Sequence, residues 1–155
     1  MKTIILYATK YGAAAEIARR IANKIDGAVI HNLKQGIPSL AEFDCIILGS
    51  PVYAGSIRRE AKEFLAKNAG LLLDKKFALF LSGIGANGEN KLFESNFPPK
   101  ILQKAKAAGF LGGIFDPKKA NAVERFIIKI AAKKSMYINT IDDSEIELFA
   151  EKVKL

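Results

Sequence analysis

Within the first dozen residues the hydrophobic period changes, and that change restricts the fold more than any other feature of the chain. Lys2 to Ala8 is a near-continuous apolar run with two isoleucines, the composition of a strand buried on both faces of a parallel sheet. Gly12 to Ile25 then repeats at helical spacing, with Ile17, Ile21 and Ile25 on one stripe. The same alternation continues. Ala28 to Ile30, Asp44 to Gly49, Lys76 to Ser82 and a glycine-broken stretch from Gly109 to Phe115 read as strands. Ser56 to Lys67, Pro99 to Ala108, Lys118 to Lys134 and Ser144 to Lys154 read as helices, with Ser56 and Ser144 as caps. Ile57, Phe64 and Leu65 of one helix, and Ile146, Phe149 and Val153 of the last, have core spacing. Alternation of this kind predicts one α/β domain over residues 1–155, built on a parallel sheet, with no repeat and no linker.

In an open parallel sheet, ligands bind beyond the carboxyl ends of the strands, where strand order reverses. Three predicted strands end in loops rich in hydroxyls and glycine. They are Thr9-Lys10-Tyr11-Gly12-Ala13-Ala14, Ser50-Pro51-Val52-Tyr53-Ala54-Gly55, and Ser82-Gly83-Ile84-Gly85-Ala86-Asn87-Gly88. Converging on one edge, they would form a single site. The first opens a helix, whose free N–H groups and positive dipole end suit a phosphate. Read alone, that loop is equally an ordinary βα turn.

Several classes are excluded. No G-x-G-x-x-G follows the first strand and no G-x-x-x-x-G-K-[ST] is present, which removes dinucleotide-type and P-loop sites. A phosphoacceptor receiver would carry carboxylates where Tyr7-Ala8-Thr9 and Gly49-Ser50 stand. There is no Ser/His/Asp set; the lone His31 and lone Cys45 read as structural. One cysteine and no Cys/His cluster point to a reducing compartment, the cytoplasm, without a metal. No run is apolar for long enough to cross a membrane, and the N-terminal apolar run is too short for a signal peptide. Lys100, Lys104 and Lys106 lack interleaved aromatics, so nucleic acid is not expected as a partner.

Together the three loops resemble those of the flavodoxin family, across essentially the whole chain. The resemblance implies a three-layer α/β/α fold with a five-stranded parallel sheet of order 2-1-3-4-5, and FMN as cofactor. The family's first loop, roughly [ST]-x-T-G-x-T, cradles the FMN phosphate; here Thr9 and Gly12 match, while Tyr11 and Ala14 replace two threonines. GSPVYAGSI matches a G-[ST]-P-x-Y-x-G loop that wraps the flavin ring, which implies that Tyr53 stacks on it and that backbone from Val52 to Gly55 meets its polar edge. Ser82 to Gly85 would add backbone contacts, and no aromatic follows them before Phe93, which leaves one ring face open. The segment from Asn121 to Ser135, with Glu124-Arg125-Phe126 and Lys129, is similar to the menaquinone-dependent protoporphyrinogen oxidases, although Met136 and Tyr137 stand where those tend to have glycines. That similarity implies an oxidoreductase whose FMN takes electrons from a tetrapyrrole and passes them to a quinone. The alternatives are a small electron carrier working with an electron-transfer protein, or a non-catalytic binding module that has lost FMN.

The charge is uneven. Lys118, Lys119, Arg125, Lys129, Lys133 and Lys134 face one anion, Glu124, so the segment carries +5 of the chain's net +8. Arg125, Lys129 and Lys133 make a cationic stripe beside Val123, Phe126, Ile127, Ile130 and Ala131. Such a helix suits an anionic membrane surface at the inner face, an acidic protein or the propionates of a porphyrin. The same periodicity also describes a helix docked on the sheet with its lysines in water.

Overall fold

The computed structural model describes residues 1–85, 88–132 and 136–155, with the side chains of Ile127, Ile128, Ile130, Ala131 and Ala132 outside that description. Five parallel strands form the sheet: β1 (Thr3–Tyr7), β2 (Val29–Asn32), β3 (Cys45–Tyr53), β5 (Lys76–Ser82) and β6 (Ala108–Phe110). Their order is β2-β1-β3-β5-β6, with β4 (Ser56–Ile57) added antiparallel to the end of β3. Counting the parallel strands alone, this is the expected 2-1-3-4-5 arrangement.

The pleat divides the core between two faces. Ile4, Leu6, Ile46, Leu48, Phe77, Leu79 and Leu81 face one side. There they pack against Ala61, Phe64, Leu65 and Leu72 of α2 (Arg59–Asp74), Phe93 of α3 (Glu89–Asn96) and Ile101 of α4 (Pro99–Lys104). Ile5, Cys45, Ile47, Ala78 and Phe80 face the other side. Those meet Ala14, Ile17 and Ile21 of α1 (Ala13–Ala22) and Ile146, Phe149 and Val153 of α6 (Asp143–Lys154). Cys45 is fully buried, and loss of water pushes its thiol up to about 11, so it behaves as a small apolar side chain.

Several expectations need correction. The helix expected over Pro99–Ala108 ends at Lys104, and Ala108 already belongs to β6. Ser56 does not cap a helix. Ala54 and Gly55 both have positive φ, 49° and 77°, and close a two-residue hairpin that pairs Tyr53 with Ser56 and Val52 with Ile57. The helix therefore starts later, at Arg59, and runs on to Asp74. The last helix is capped by Asp142, whose carboxylate accepts from the N–H groups of Ser144 at 2.8 Å and Glu145 at 3.4 Å. The fifth strand is interrupted. After Phe110 the chain leaves the sheet, and β7 (Ile114–Phe115) pairs antiparallel with β8 (Ile138–Asn139). Between them lies an excursion carrying α5 (Ala122–Ala132), shorter than the predicted 118–134 helix, whose last predicted residues, Lys133 and Lys134, lie outside the described residues. A helix over Glu89–Asn96 has no counterpart in the sequence reading, because its apolar content is only a short stripe ending at Phe93.

Candidate functional site

β1, β3 and β5 deliver their loops to the same edge of the sheet, around a cleft of about 430 Å³. Lys10, Tyr11 and Ala13 line it from the first loop, and Pro51, Val52, Tyr53 and Ala54 from the second. Ser82, Gly83 and Ile84 come from the third. Tyr53 stands at the hairpin tip, 36% exposed, with its phenol pushed up to about 12 chiefly by loss of water. The hairpin is braced from below: Asn96 of α3 donates to the Gly55 carbonyl at 2.9 Å and accepts from the Ile57 N–H at 2.9 Å. Tyr11 meets Tyr53 edge-on, centroids 6.2 Å apart, and the Lys10 ammonium lies 5.0 Å from each ring centroid.

Not every residue expected at the site faces the cleft. Ser50 is buried and spent internally, donating to the Pro51 carbonyl at 2.8 Å and accepting from the Arg58 N–H at 2.9 Å. Thr9 accepts from the Gly12 N–H at 3.0 Å, so its hydroxyl shapes the turn. Gly12 takes φ 102° and opens α1 with no side-chain cap, which leaves the N–H groups of its first turn without intrahelical acceptors. Ala14 is buried under that turn, while Gly55 and Gly85 sit exposed beside the cleft without lining it. Ala86 and Asn87 lie outside the described residues. His31, bonded to the Gly36 carbonyl at 2.9 Å, is not a lining residue.

The remaining wall was not legible in the sequence. Gly113, Ile114, Phe115 and Asp116 also line the cleft, as do Ala120 and Glu124 of the excursion. Ile114 and Phe115 thus add apolar lining to a cleft whose third loop offers no aromatic. This placement depends on close backbone approach. A Cβ on Gly113 would lie 2.6 Å from the Gly83 carbonyl oxygen, and Thr140 clasps Gly113 through its N–H and its hydroxyl oxygen, at 2.8 and 3.0 Å.

Glu124 ties the excursion to the first loop. Its carboxylate accepts from the Lys10 ammonium on one oxygen and from the Tyr11 hydroxyl on the other. It also joins a reciprocal cap: the Asn121 side chain accepts from the Glu124 N–H at 2.8 Å, and Glu124 accepts from the Asn121 N–H at 3.2 Å. Desolvation pushes the Glu124 carboxyl up, but the Lys10 and Tyr11 hydrogen bonds outweigh it and hold it below the ordinary carboxylate range. A carboxylate held low contributes stability above its ordinary pKa and loses it as pH falls through the depressed value. Glu124→Gln is therefore expected to speed tryptic cleavage at Lys118, Lys119 and Arg125 about fivefold, the equivalent of about 1 kcal/mol for one such pair. Lowering the pH of the parent protein below the carboxylate range should loosen the excursion similarly, read with an acid-active protease. Unchanged cleavage in the variant would mean that Glu124 does not hold the excursion down.

The Flavodoxin domain family model matches residues 4–140. The chain belongs to the flavodoxin-domain family. Among curated proteins, this flavodoxin domain is 24% identical over 148 residues to protoporphyrinogen IX dehydrogenase [quinone] of Escherichia coli K12, covering 87% of this chain and 81% of that one. Among solved structures it resembles oxidised flavodoxin 1 from Bacillus cereus, with TM-score 0.61, 16% identity, and coverage of 99% of this chain and 97% of that one. It also resembles a flavoprotein from Lactobacillus acidophilus NCFM, solved in complex with FMN, with TM-score 0.53, 17% identity, and coverage of 70% and 92%. The two structures establish the shared fold. No described helix is long and apolar enough to cross a membrane.

Proposed function

We propose that this flavodoxin domain holds FMN in the cleft and acts as a flavin-dependent oxidoreductase, taking electrons from a porphyrinogen-type acidic substrate and passing them to a quinone or an electron-transfer protein in the cytoplasm. The observation that carries the reading is the meeting, at one sheet edge, of an uncapped helix N-terminus and an aromatic ring held over an apolar cleft. The residues fit the group. The N–H groups of Ala13, Ala14 and Ala15 suit a phosphomonoester, since nothing in the helix accepts from them. Ser82 is buried at the cleft edge, and its hydroxyl has no hydrogen-bond partner among the described residues, which suits the polar edge of a heterocycle. The FMN complex of the Lactobacillus flavoprotein and the name of the Escherichia coli enzyme support the same cofactor and reaction class.

Bound there, FMN would supply the electron chemistry that no side chain of the cleft offers. The chain's own part is positional. The Tyr53 ring would cover one flat face of the cofactor, and its phenol, held up to about 12, stays neutral across physiological pH. Ile114 and Phe115 would add apolar lining that helps exclude water, and the Lys10 ammonium, paired with Glu124, adds no net charge to that end of the cleft.

A specific observation favours a second reading. Lys10 and Tyr11, the polar side chains of the first loop that reach the cleft, are already engaged by Glu124, and Ala14 offers no side-chain donor. Such a loop suits a module that no longer binds FMN. Visible absorption of the purified protein, before and after FMN addition and desalting, separates the two. Retained flavin bands with quenched fluorescence are the expected result, followed by anaerobic turnover of protoporphyrinogen with menaquinone. A colourless protein that never retains FMN would overturn the first reading in favour of the second. Flavin retention without turnover would leave an electron carrier.

A further inference from the structure

The excursion presents an unusual outer surface. Val123 and Phe126, one helical turn apart on α5, are 66% and 64% exposed, and Met136 and Tyr137 beyond the helix are 60% and 57% exposed. Four of the largest exposed apolar side chains of the described residues thus fall on one short segment. The helical spacing of Val123 and Phe126 equally allows a face docked on the sheet; in the structure both side chains are exposed to solvent. Cations flank them. Lys118, Lys119, Arg125 and Lys129 are exposed, and none is in an ion pair among the described residues. Arg125 spends one guanidinium nitrogen on the Pro117 carbonyl at 3.1 Å. Lys133 and Lys134 lie outside the described residues.

Glu124 decides the character of this surface. It is the segment's one anion, and it is turned inward to Lys10 and Tyr11, where its charge is matched. What remains outward on α5 is cationic and apolar together; the nearest carboxylate on its flank, Asp116, accepts from the Lys118 N–H at 3.0 Å and lines the cleft. We propose that α5 and its flanks form a docking surface for an anionic phospholipid bilayer, with Val123 and Phe126 entering the headgroup region and Lys118, Lys119, Arg125 and Lys129 pairing with lipid phosphates. The choice of lipid over an acidic protein follows from the pairing of features. An acidic protein satisfies the cations, but a bilayer interface also takes up isolated, protruding apolar side chains without a matching pocket. A single helix with few cations binds reversibly, so this is a peripheral contact. The helix that docks is the one that reaches over the cleft through Glu124, so docking brings the site close to molecules dissolved in the membrane.

Cosedimentation of the full chain with vesicles tests this without reference to FMN, because flavin retention is read separately by absorbance. Binding is expected to vesicles of equal parts phosphatidylglycerol and phosphatidylcholine, and not to phosphatidylcholine alone. Arg125→Gln with Lys129→Gln should weaken the partition about thirtyfold, and Phe126→Asp at least about tenfold. Leu148→Asp, on exposed α6 surface elsewhere, should leave it unchanged. Failure of the parent protein to bind the anionic vesicles at low salt would overturn the proposal, and binding to polyglutamate in its place would assign the surface to an acidic protein. Equal binding by Phe126→Asp would also overturn it, by showing an attraction of charge alone.

Discussion

Gly112→Ala is expected to cost about 3 kcal/mol of stability in urea unfolding, the sum of left-handed backbone strain and overpacking against atoms that cannot rotate away. Gly112 has φ +85°, and a Cβ there would lie 2.1 Å from the Thr140 carbonyl oxygen, 2.5 Å from its carbon and 2.8 Å from Ile141 Cα. All three contacts are backbone. The chain crosses itself at this point, where the segment leaving β6 meets the strand returning from the excursion, and the crossing sets the position of the Gly113–Asp116 wall. The Gly112 carbonyl also accepts from the Gly83 N–H at 3.0 Å, tying the crossing to the third loop. The variant should lose ligand retention along with stability. Gly70→Ala is the matched control: inside α2, with nothing within 4 Å of its Cβ, it should stabilise the protein by up to about 1 kcal/mol. A Gly112→Ala protein within about 0.5 kcal/mol of the parent would show that the crossing yields more easily than its geometry implies.

Tyr53→Ala should weaken FMN binding between about fivefold and about 150-fold, the range of about 1–3 kcal/mol that a flat heterocycle loses when its aromatic platform is removed. Fluorescence titration of FMN measures this directly. Tyr53→Phe should bind within about threefold of the parent, because the ring and not the hydroxyl makes the platform. The hairpin that presents Tyr53 is held by Asn96 at Gly55 and Ile57, so the alanine variant should keep its fold, and circular dichroism should not change. If Tyr53→Ala binds as tightly as the parent, FMN does not stack on this ring. Should Tyr53→Phe lose as much as alanine, the hydroxyl carries the contact instead.

How far the site was legible depends on sequence separation. Pro51 to Ala54, Ser82 to Ile84, and Lys10, Tyr11 and Ala13 were named from loop composition, and the structure brings them to one cleft. Ser50 was named with them, yet its hydroxyl serves the hairpin and the start of α2. Composition identifies a loop that can bear a site, but which way each side chain turns depends on the turn type. Here Ala54 at φ 49° made a hairpin where a helix cap had been expected, because nothing local distinguishes Ser56 as a cap from Ser56 as a strand residue. Asn96 and Thr140 gave no signal at all, since each acts on backbone far away in the chain.

By itself, the sequence determined the parallel sheet, its strand order by resemblance, and the edge at which the candidate site lies. The sheet and the edge follow from continuous apolar runs alternating with stretches of period 3.6 and from loop chemistry, which short windows carry; the order does not. Only the tertiary structure decided that Glu124 would reach Lys10 and Tyr11 across more than a hundred residues, leaving an uncompensated cationic and apolar face outside. It alone also decided that Ile114 and Phe115 would line the cleft. Both depend on where the excursion folds back, and that is set by backbone crossings at Gly112 and Gly113, where the absence of a side chain leaves no periodic trace.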